Sequence, residues 1–420
     1  MTRSRMATFC VAALSLSLVA CGGGGNKAAE APKKTELTLY NDKGAWTKFF
    51  ESMGVQSKQQ IGLNMKPVGY TDSAQYQAFI KASFRTDVKP DLFTWQTGGM
   101  LEEIVKQKQV AETTTLWQEA IKNGDLSQDL APYYTVDGKQ YCVPMNVAYW
   151  GMFYNKKTFD QYKLQPPTTW DELIKVADTL KQNNVKAFYH TSVLFSFIWF
   201  EQLLAGTDPD LYDKLSTGKA KYTDPGVVQV MERWKSMIDA GYFANPGDKT
   251  DPADGLKSGK TAMVSFGTWF NTSMTQRDLK AGTDYGFFVI PNVNTALPKT
   301  SVIFESGPLC SLAKAPDPAA SEKYLKWWTG AEAQGTWATT RGDVSANPKV
   351  EIKDEALGQI TKDAGSGKYR LVNRYFEATP PPILTAALDG FGLFVTKPDS
   401  YQKVLQDIQK AADEYWSTHQ

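Results

Sequence analysis

Aromatic residues that stand at predicted turns are the first candidates for a functional role in this chain. Trp95 ends the apolar segment "DLFTW" and is followed by "QTGG", whereas Trp269 follows the apolar segment "AMVSF" and Gly267. In α/β sheets, ligands bind beyond the carboxyl ends of the strands. An indole face there can stack on the C–H face of a sugar ring while polar neighbours bind the hydroxyl groups. We therefore predict that Trp95 and Trp269 contact a ligand, with core packing as the competing interpretation.

Three further aromatic residues are harder to assign. Trp199 lies in "SFIWF", so it is a ligand candidate whose apolar neighbours favour packing in the core. Tyr149 and Trp150 are adjacent, and successive residues of a strand face opposite sides of a sheet. One of the two should therefore point inward. We expect this to be Trp150, which leaves Tyr149 as a ligand candidate.

The sequence carries none of the common catalytic signatures. It has no GxSxG, HExxH, CxxC, Walker or GxGxxG motif, and its two histidines are His190 and His419. The cysteine spacing fits no zinc pattern, so neither a metal nor a cofactor is predicted. Glycoside hydrolysis needs only two carboxylates. A secreted carbohydrate-active enzyme is therefore the alternative to a binding protein.

The N-terminal segment resembles that of an exported bacterial lipoprotein. Arg3 and Arg5 precede an apolar run over residues 9–20 that is too short to span a bilayer as a helix. The run ends in "LVAC", which resembles a lipobox and predicts cleavage before Cys21 and lipidation of its thiol; a plain signal peptide is the alternative. The following "GGGGNKAAEAPKK" predicts a flexible leash. We assign residues 1–20 to a signal peptide and 21–35 to a lipoprotein tether.

Length and charge narrow the class of protein further. The chain has 420 residues, which exceeds the size at which a single hydrophobic core usually stops growing, so two lobes are expected. Its 46 basic residues nearly balance its 45 acidic residues. Because no strongly basic face is indicated, nucleic acid is not a predicted partner.

Predicted strands and helices alternate along the chain and would position the aromatic residues. "ELTLY" alternates as a strand does, and "TTWDELIKVADTL" predicts a helix that begins with a capping box of Thr169 and Glu172. This alternation predicts an α/β fold with mostly parallel sheets. Because no long linker separates the two lobes, we expect the chain to cross between them more than once.

Taken in order, several segments resemble the extracellular solute-binding proteins of bacterial carbohydrate ABC importers, relatives of maltodextrin-binding protein. The resemblance rests on "VDGKQYCVPMNVAYWGMFYNKKTFDQYKLQPPTTWDEL", "LKSGKTAMVSFGTW", "SGPLCSLAKAPDPAASEKYLKWWTGAEAQ" and "TTRGDVSANP". It implies a two-lobe periplasmic-binding-protein fold with a ligand cleft and hinge crossing strands, whose lobes close on a sugar. We place the first lobe in residues 36–143 plus 308–348 and the second in residues 144–307 plus 349–420.

The resemblance also implies roles for single residues. Trp269 would project into the cleft from the second lobe, and Trp95 would face it from the first. Asp42 and Lys43 stand where maltodextrin-binding relatives bind hydroxyl groups after the first strand; a simple turn is the alternative for them. Arg341 lies in the loop "TTRGDVSANP" and would donate to hydroxyls or a carboxylate, with a surface or hinge ion pair as the alternative.

The segment after the first crossing strand departs from the family pattern. Ala148 stands where maltodextrin-binding relatives place a glutamate on the ligand. This departure disfavours maltodextrin and makes Asn146 and Tyr149 the candidates to replace that contact. By the same resemblance, Cys142 and Cys310 lie on the two crossing strands, where they form either a disulfide bond or two free buried thiols.

The resemblance finally implies partners and a location. The protein would be a monomer that captures a sugar or oligosaccharide and delivers it to the permease subunits of an ABC importer. Its lipid anchor would hold it outside the cytoplasm, on the cell surface or in the periplasm. Alternative ligands for the same fold are a polyamine, a phosphate ester or ferric iron. Adjacent Tyr133 and Tyr134 are of the residue type that binds iron, although they precede the crossing strand.

Overall fold

A computed structural model describes residues 34–193 and 195–419, apart from the side chains of Ser73 and Ala74. The predicted signal peptide, Cys21 and residues 21–33 of the predicted tether lie outside the described residues. The part of the chain from Thr35 onward forms one compact unit. No helix among the described residues is both long enough and apolar enough to cross a membrane.

Eleven strands are present in the described part of the chain. They are β1 Glu36–Asn41, β2 Asn64–Gly69, β3 Leu92–Thr94, β4 Thr135–Val136, β5 Lys139–Gln140, β6 Val143–Asn155, β7 Lys186–Phe188, β8 Thr261–Gly267, β9 Tyr285–Phe288, β10 Ser301–Ser311 and β11 Arg370–Asn373.

Helices connect most of these strands. They are α1 Thr47–Ile61, α2 Ser73–Ser83, α3 Gly99–Lys106, α4 Thr114–Lys122, α5 Lys156–Gln161, α6 Trp170–Gln182, α7 Ile198–Thr207, α8 Pro209–Ser216, α9 Pro225–Asp239, α10 Pro252–Ser258, α11 Phe270–Thr275, α12 Pro318–Thr329, α13 Ala331–Arg341, α14 Glu355–Gly365, α15 Tyr375–Ala378, α16 Pro381–Thr396 and α17 Tyr401–Trp416. Short 3₁₀ helices cover Gly44–Trp46, Gln128–Tyr134 and Pro398–Ser400.

Local sequence signals explain several helix ends. The predicted capping box at the start of α6 is present, with Thr169 accepting from the backbone of Glu172 and Glu172 accepting from the backbone of Thr169. Asp317 caps α12 through its side chain, and Pro318 occupies the first helical position, where its missing N–H costs nothing.

The main sheet has nine strands and mixed directions. Its central order is β2-β1-β3-β10-β6-β8-β7, with β11 paired to β10 and β9 paired to β6. Strand β1 is parallel to β2 and β3, and β7 is parallel to β8. The long strands β6 and β10 are antiparallel to each other and to their flanking partners β8 and β3. The sheet is therefore less parallel than predicted, because these two strands run through the middle of the molecule.

Strands β6 and β10 pass from one hydrophobic core to another. On β10, Val302 and Phe304 pack in the core that contains β3 and α3, whereas Ile303 packs in the core that contains β8 and α9. On β6, Val147 belongs to the first core and Met152 to the second. Alternate strand residues face opposite sides, so one strand serves two cores. The fold is thus α/β with two lobes joined by crossing strands.

A disulfide bond joins the crossing strands at the first lobe. Cys142 immediately precedes β6 and Cys310 lies near the end of β10, with their Cα atoms 4.2 Å apart. Of the two states expected for these cysteines, the structure therefore contains the bond. The lobe boundaries given above stay a prediction.

Candidate functional site

A cavity of about 210 Å³ lies where both lobes and both crossing strands meet. The lobe that contains β1 and β3 supplies Asp42, Lys43, Trp46 and Gln96; the crossing strands supply Asn146, Glu305 and Gly307; the other lobe supplies Phe195, Trp269, Arg374 and Phe376. Larger cavities exist elsewhere, including one of about 590 Å³ between α6 and α9. The walls of that cavity come from one lobe, so closure of two lobes would not enclose a ligand in it.

The first wall of the cavity is a carboxylate at the end of β1. Asp42 Oδ1 accepts from Lys43 Nζ at 3.0 Å and from Thr94 Oγ1 at 2.8 Å. Gln96 Nε2 donates to Asp42 Oδ2 at 3.3 Å. Burial raises the pKa of Asp42, but the charge of Lys43 and these hydrogen bonds outweigh it and hold the pKa below its ordinary value. Asp42 is therefore an ionised, internally paired acceptor.

A second carboxylate on β10 organises the opposite wall. Glu305 Oε1 accepts from the indole nitrogens of Trp150, at 3.1 Å, and Trp269. Its other oxygen forms an ion pair of 2.5 Å with Arg374 Nη1. This carboxylate therefore fixes the orientation of the Trp269 ring at the cavity wall.

Arg374 connects Glu305 to a second carboxylate, Glu377, which does not line the cavity. Its Nε donates to Glu377 Oε2 at 2.8 Å, and its Nη2 donates to Glu377 Oε1. Burial lowers the pKa of Arg374, but the charges of Glu305 and Glu377 outweigh it and raise the pKa above its usual range. Burial raises the pKa of Glu377 despite the opposing effect of Arg374. The guanidinium is thus permanently charged and shared by two carboxylates.

Half-buried aromatic rings form the apolar part of the cavity. The rings of Trp269 and Phe195 are stacked, with centroids 5.9 Å apart. Trp46 lies on the other lobe, where Lys43 Nζ is 5.4 Å and Arg341 Cζ is 3.7 Å from its ring centroid. Each indole combines a hydrophobic face with polar neighbours, which is the arrangement that suits sugar rings.

One buried polar atom in the cavity has no protein partner. Asn146 Oδ1 is shielded from solvent without a hydrogen bond. A Cβ atom at Gly307, on the neighbouring crossing strand, would lie 2.7 Å from it. Buried acceptors are normally satisfied, so Asn146 is positioned to accept a hydrogen bond from a ligand that reaches Gly307.

The structure thus brings together four of the predicted site residues, namely Asp42, Lys43, Asn146 and Trp269. It corrects the placement of the other four. Trp95 is 1% exposed, and its Nε1 donates to the carbonyl of Met100 rather than facing Trp269. The cause is that Tyr76, Phe93 and residues of α3 enclose the ring of Trp95.

The remaining three predicted residues also lie behind the cavity wall. Trp199 is buried and donates through Nε1 to the carbonyl of Tyr189. Tyr149 is buried and packs on Phe304 with ring centroids 5.6 Å apart. Arg341 is fully buried, pairs with Asp343 at 3.1 Å and supports Trp46 from behind. As predicted, Trp150 is buried, although its indole nitrogen reaches Glu305.

Several cavity residues were not predicted. They are Trp46, Gln96, Phe195, Glu305, Gly307, Arg374 and Phe376. Glu305 had one usable signal, since it is a charged residue within the apolar segment "SVIFESGPL". Its partner Arg374 is distant in sequence, so the pair is visible only in the folded chain.

Among residues 34–193 and 195–419, no group of three or more histidine, cysteine, aspartate or glutamate side chains is arranged to hold a metal ion. The tyrosines considered as iron ligands are engaged elsewhere. Tyr133 packs on Phe304, and the hydroxyl of Tyr134 is 2.7 Å from Ser306 Oγ.

A family model described as "Bacterial extracellular solute-binding protein" matches residues 50–364. An uncharacterised ABC transporter extracellular-binding protein of Pyrococcus horikoshii is 25% identical over 96% of this chain and 93% of its own length. The multiple sugar-binding protein of Streptococcus mutans is 25% identical over 58% of this chain and 60% of its own length.

A solved structure shares the fold at low sequence identity. A bacterial solute receptor described as preferring β-D-galactopyranose superimposes with a TM-score of 0.78 at 20% identity, covering 91% of this chain and 98% of the other. At this identity the similarity concerns the fold alone.

Proposed function

The chain belongs to the family of bacterial extracellular solute-binding proteins, and from this membership we propose that its 210 Å³ cavity binds a neutral sugar for an ABC importer. One observation carries the choice of ligand. The cavity combines the half-buried rings of Trp46 and Trp269 with charged groups that already neutralise each other. Indole faces suit the C–H faces of a sugar, and paired charges still offer hydrogen bonds to hydroxyl groups.

The same charge pairing disfavours the other ligand classes. A polyamine would require unpaired carboxylates, but Asp42 is paired with Lys43 and Glu305 with Arg374. A phosphate ester would require unpaired cations, and both cations are engaged in these ion pairs. Burying either charged ligand would therefore break an existing pair, which is costly in a shielded site.

The size of the cavity supports a small ligand. Pockets for drug-sized molecules usually measure about 300–1,000 Å³, and this cavity is smaller. We infer that it holds a monosaccharide or a single ring of a longer sugar. The relative from Streptococcus mutans, a multiple sugar-binding protein, supports a sugar as the ligand.

A ligand panel tests the proposal. The purified protein would be melted in the presence of hexoses, pentoses, disaccharides and raffinose, and separately with spermidine, glycerol phosphate and ferric citrate. A sugar at 100 times its dissociation constant should stabilise the folded state by about 2.7 kcal/mol. Stabilisation by a member of the second group alone would overturn the sugar assignment.

We further propose that the protein binds its sugar without changing it. The two carboxylates that line the cavity, Asp42 and Glu305, are each held in an ion pair, whereas hydrolysis of a glycosidic bond needs a carboxyl group that is free to donate a proton. The sugar that stabilises the protein should be recovered intact after hours with a stoichiometric amount of protein. Release of reducing sugar that scales with protein concentration would support a carbohydrate-active enzyme instead.

Transport would follow from capture by lobe closure. In this proposal, the mature protein is a monomer outside the cytoplasm, tethered to the membrane through Cys21, and delivers the sugar to permease subunits. Tethering keeps the protein at a high effective concentration near its transporter.

A further inference from the structure

The turn after β3 meets helix α15 at a position that admits no side chain. Gly98, the N-cap of α3, has a φ of +67°, and a Cβ atom there would lie 2.0 Å from the carbonyl oxygen of Glu377. Glycine permits both this backbone angle and this approach. The adjacent Gly99 differs, because its nearest neighbour to a Cβ would be Pro380 Cα at 3.8 Å, an ordinary contact.

This contact joins the two lobes. Helix α3, which follows Gly98, packs Leu101 and Ile104 in the core that contains β3. Helix α16, which follows Glu377 closely, packs Ile383 and Leu384 in the core that contains β8. A rotation of one lobe relative to the other about an axis that lies away from this contact therefore changes the distance between Gly98 and the Glu377 carbonyl.

Both sides of the contact carry residues of the ligand cavity. Gln96, two residues before Gly98, lines the cavity and donates to Asp42. Phe376, next to Glu377, lines the cavity and packs against the cores of both lobes. The side chain of Glu377 also holds Arg374, the partner of Glu305. We call the contact between Gly98 and the Glu377 carbonyl the seam. The seam and the cavity are thus formed by the same few residues.

We propose that Gly98 is a closure residue, whose missing side chain lets the first lobe seat against the Glu377 carbonyl so that Gln96 and Phe376 take their places around the ligand. The inference rests on the proposed function, since it assigns a residue to the closure that captures the sugar. A side chain at position 98 would hold the lobes apart. It would reduce the fraction of molecules able to close, and the apparent affinity falls in proportion to that fraction.

Three substitutions separate closure from other effects. Gly98→Ala introduces the clash. Gly99→Ala places a methyl group on the next residue of the same turn. Gly62→Ala places a methyl group at another glycine of positive φ, +71°, where no atom lies within 4 Å of a Cβ. Its ψ of 13° differs from the −144° of Gly98, so this variant controls for the positive φ alone. The affinity for the most stabilising sugar of the panel would be measured by calorimetry, and the radius of gyration by small-angle scattering with and without that sugar.

We expect Gly98→Ala to weaken sugar binding about tenfold or more and to stay expanded when sugar is added. Gly99→Ala and Gly62→Ala should bind within about twofold of the unchanged protein and contract as it does. Sugar binding by Gly98→Ala that equals that of Gly62→Ala, with the same contraction, would overturn the assignment of Gly98.

Two further measurements distinguish failure of this proposal from misfolding of Gly98→Ala and from failure of the proposed function. In the unchanged protein, hydrogen exchange at residues 96–100 and 375–379 should slow when sugar is added, and unchanged exchange there counts against closure at this seam even if Gly98→Ala does not fold. If no sugar binds at all, the proposed function fails. The seam is then judged from the sugar-free proteins, where Gly98→Ala should have a larger radius of gyration than Gly62→Ala and equal radii would overturn it.

Discussion

Glu305 organises the cavity although it is a charged residue in the middle of a mostly buried strand. Its two oxygens accept from two indole nitrogens and pair with Arg374. A shielded charge is tolerated when it is paired and hydrogen-bonded. The consequence at the scale of single residues is that the ring of Trp269 is oriented by an ionic network before any ligand arrives, which reduces the entropy lost on binding.

Replacement of Trp269 by alanine tests the stacking role. The change removes an aromatic face from the cavity, and an anchor of this kind commonly contributes above about 2 kcal/mol, or roughly thirtyfold in affinity. Because Trp269 is half-buried, its loss should cost less stability than the roughly 3–5 kcal/mol of a buried tryptophan. Calorimetry with the best sugar and denaturant unfolding measure the two effects.

Trp327→Ala is the matched control for this change. Trp327 is also half-buried, on α12, and its Nε1 bonds to Gln60 Oε1 away from the cavity. It should leave sugar affinity unchanged. A large loss of stability with normal affinity in Trp269→Ala would show that Trp269 serves packing alone.

Asp42 predicts a dependence of stability on pH. Its pKa in the folded protein lies below the ordinary value of 3.8 because Lys43 and Thr94 outweigh the opposing effect of burial. A carboxylate of this kind stabilises the fold above the pKa of the unfolded chain, and the contribution is lost as pH falls through the folded pKa. Asp42→Asn should therefore unfold at lower urea concentration than the unchanged protein at pH 7, and the difference should shrink below about pH 4.

The exposed Glu51 on α1 supplies the comparison for this measurement. Glu51→Gln should unfold at the same urea concentration as the unchanged protein, both at pH 7 and at pH 3. A gap between Asp42→Asn and the unchanged protein that stays constant down to pH 3 would contradict the role assigned to the Asp42–Lys43 pair.

At the scale of elements, the predictable features were those encoded locally. The capping box of Thr169 and Glu172 begins α6 as predicted, and α/β alternation with crossing strands is confirmed. The direction of the side chain after β3 was predicted incorrectly. Trp95 and Trp269 each lie one or two residues after the end of a buried strand. The ring of Trp95, however, is enclosed between Tyr76, Phe93 and α3. The elements that cover a strand end come from distant segments, so its sequence does not encode which side is open.

The ion pair of Glu305 with Arg374 could not be predicted from the sequence for the same reason. Glu305 follows four apolar or small residues of β10, and Arg374 follows β11. Their proximity depends on the parallel pairing of β10 with β11. Such pairing between segments far apart in sequence is decided by the whole fold and leaves no local signal.

The disulfide bond between the crossing strands should contribute to stability. It links residues 168 positions apart, and a bond that closes a long loop restricts the unfolded chain and stabilises the fold by roughly 2–5 kcal/mol. The double variant Cys142→Ser with Cys310→Ser should lose stability of this order in denaturant unfolding. Sugar affinity should change little, because β6 and β10 retain their backbone pairing.

Reducing agent provides the control for this prediction. It should lower the unfolding midpoint of the unchanged protein towards that of the double variant and leave the double variant unaffected. Two reactive thiols from Cys142 and Cys310 in the denatured, unreduced protein would contradict the bond.

At the scale of the whole molecule, the proposed tether determines where the protein works. Cys21→Ser should release it from membranes into the soluble fraction, because a diacylglyceryl group supplies the two acyl chains that stable anchoring requires. Membrane fractionation with detection of the mature protein measures this.

Cys10→Ser is the control, since Cys10 lies in the predicted signal peptide and would be removed with it. It should leave the protein membrane-bound. A Cys21→Ser protein that still sediments with membranes at its mature size would rule out lipidation at this residue.

The place of β10 in the sheet has a consequence for the order in which the chain assembles. β10 lies between β3 and β6, so the sheet of the first lobe is incomplete until residue 301 is available. The segment between β6 and β10 contains much of the other lobe, including β7, β8 and α6 to α11. Pairing between distant segments is slow. When the chain is synthesised from its N-terminus, β1 to β3 must therefore wait for β10 while a large part of the other lobe emerges. The second lobe is in turn incomplete until α16 and α17 are available, because both helices pack in its core.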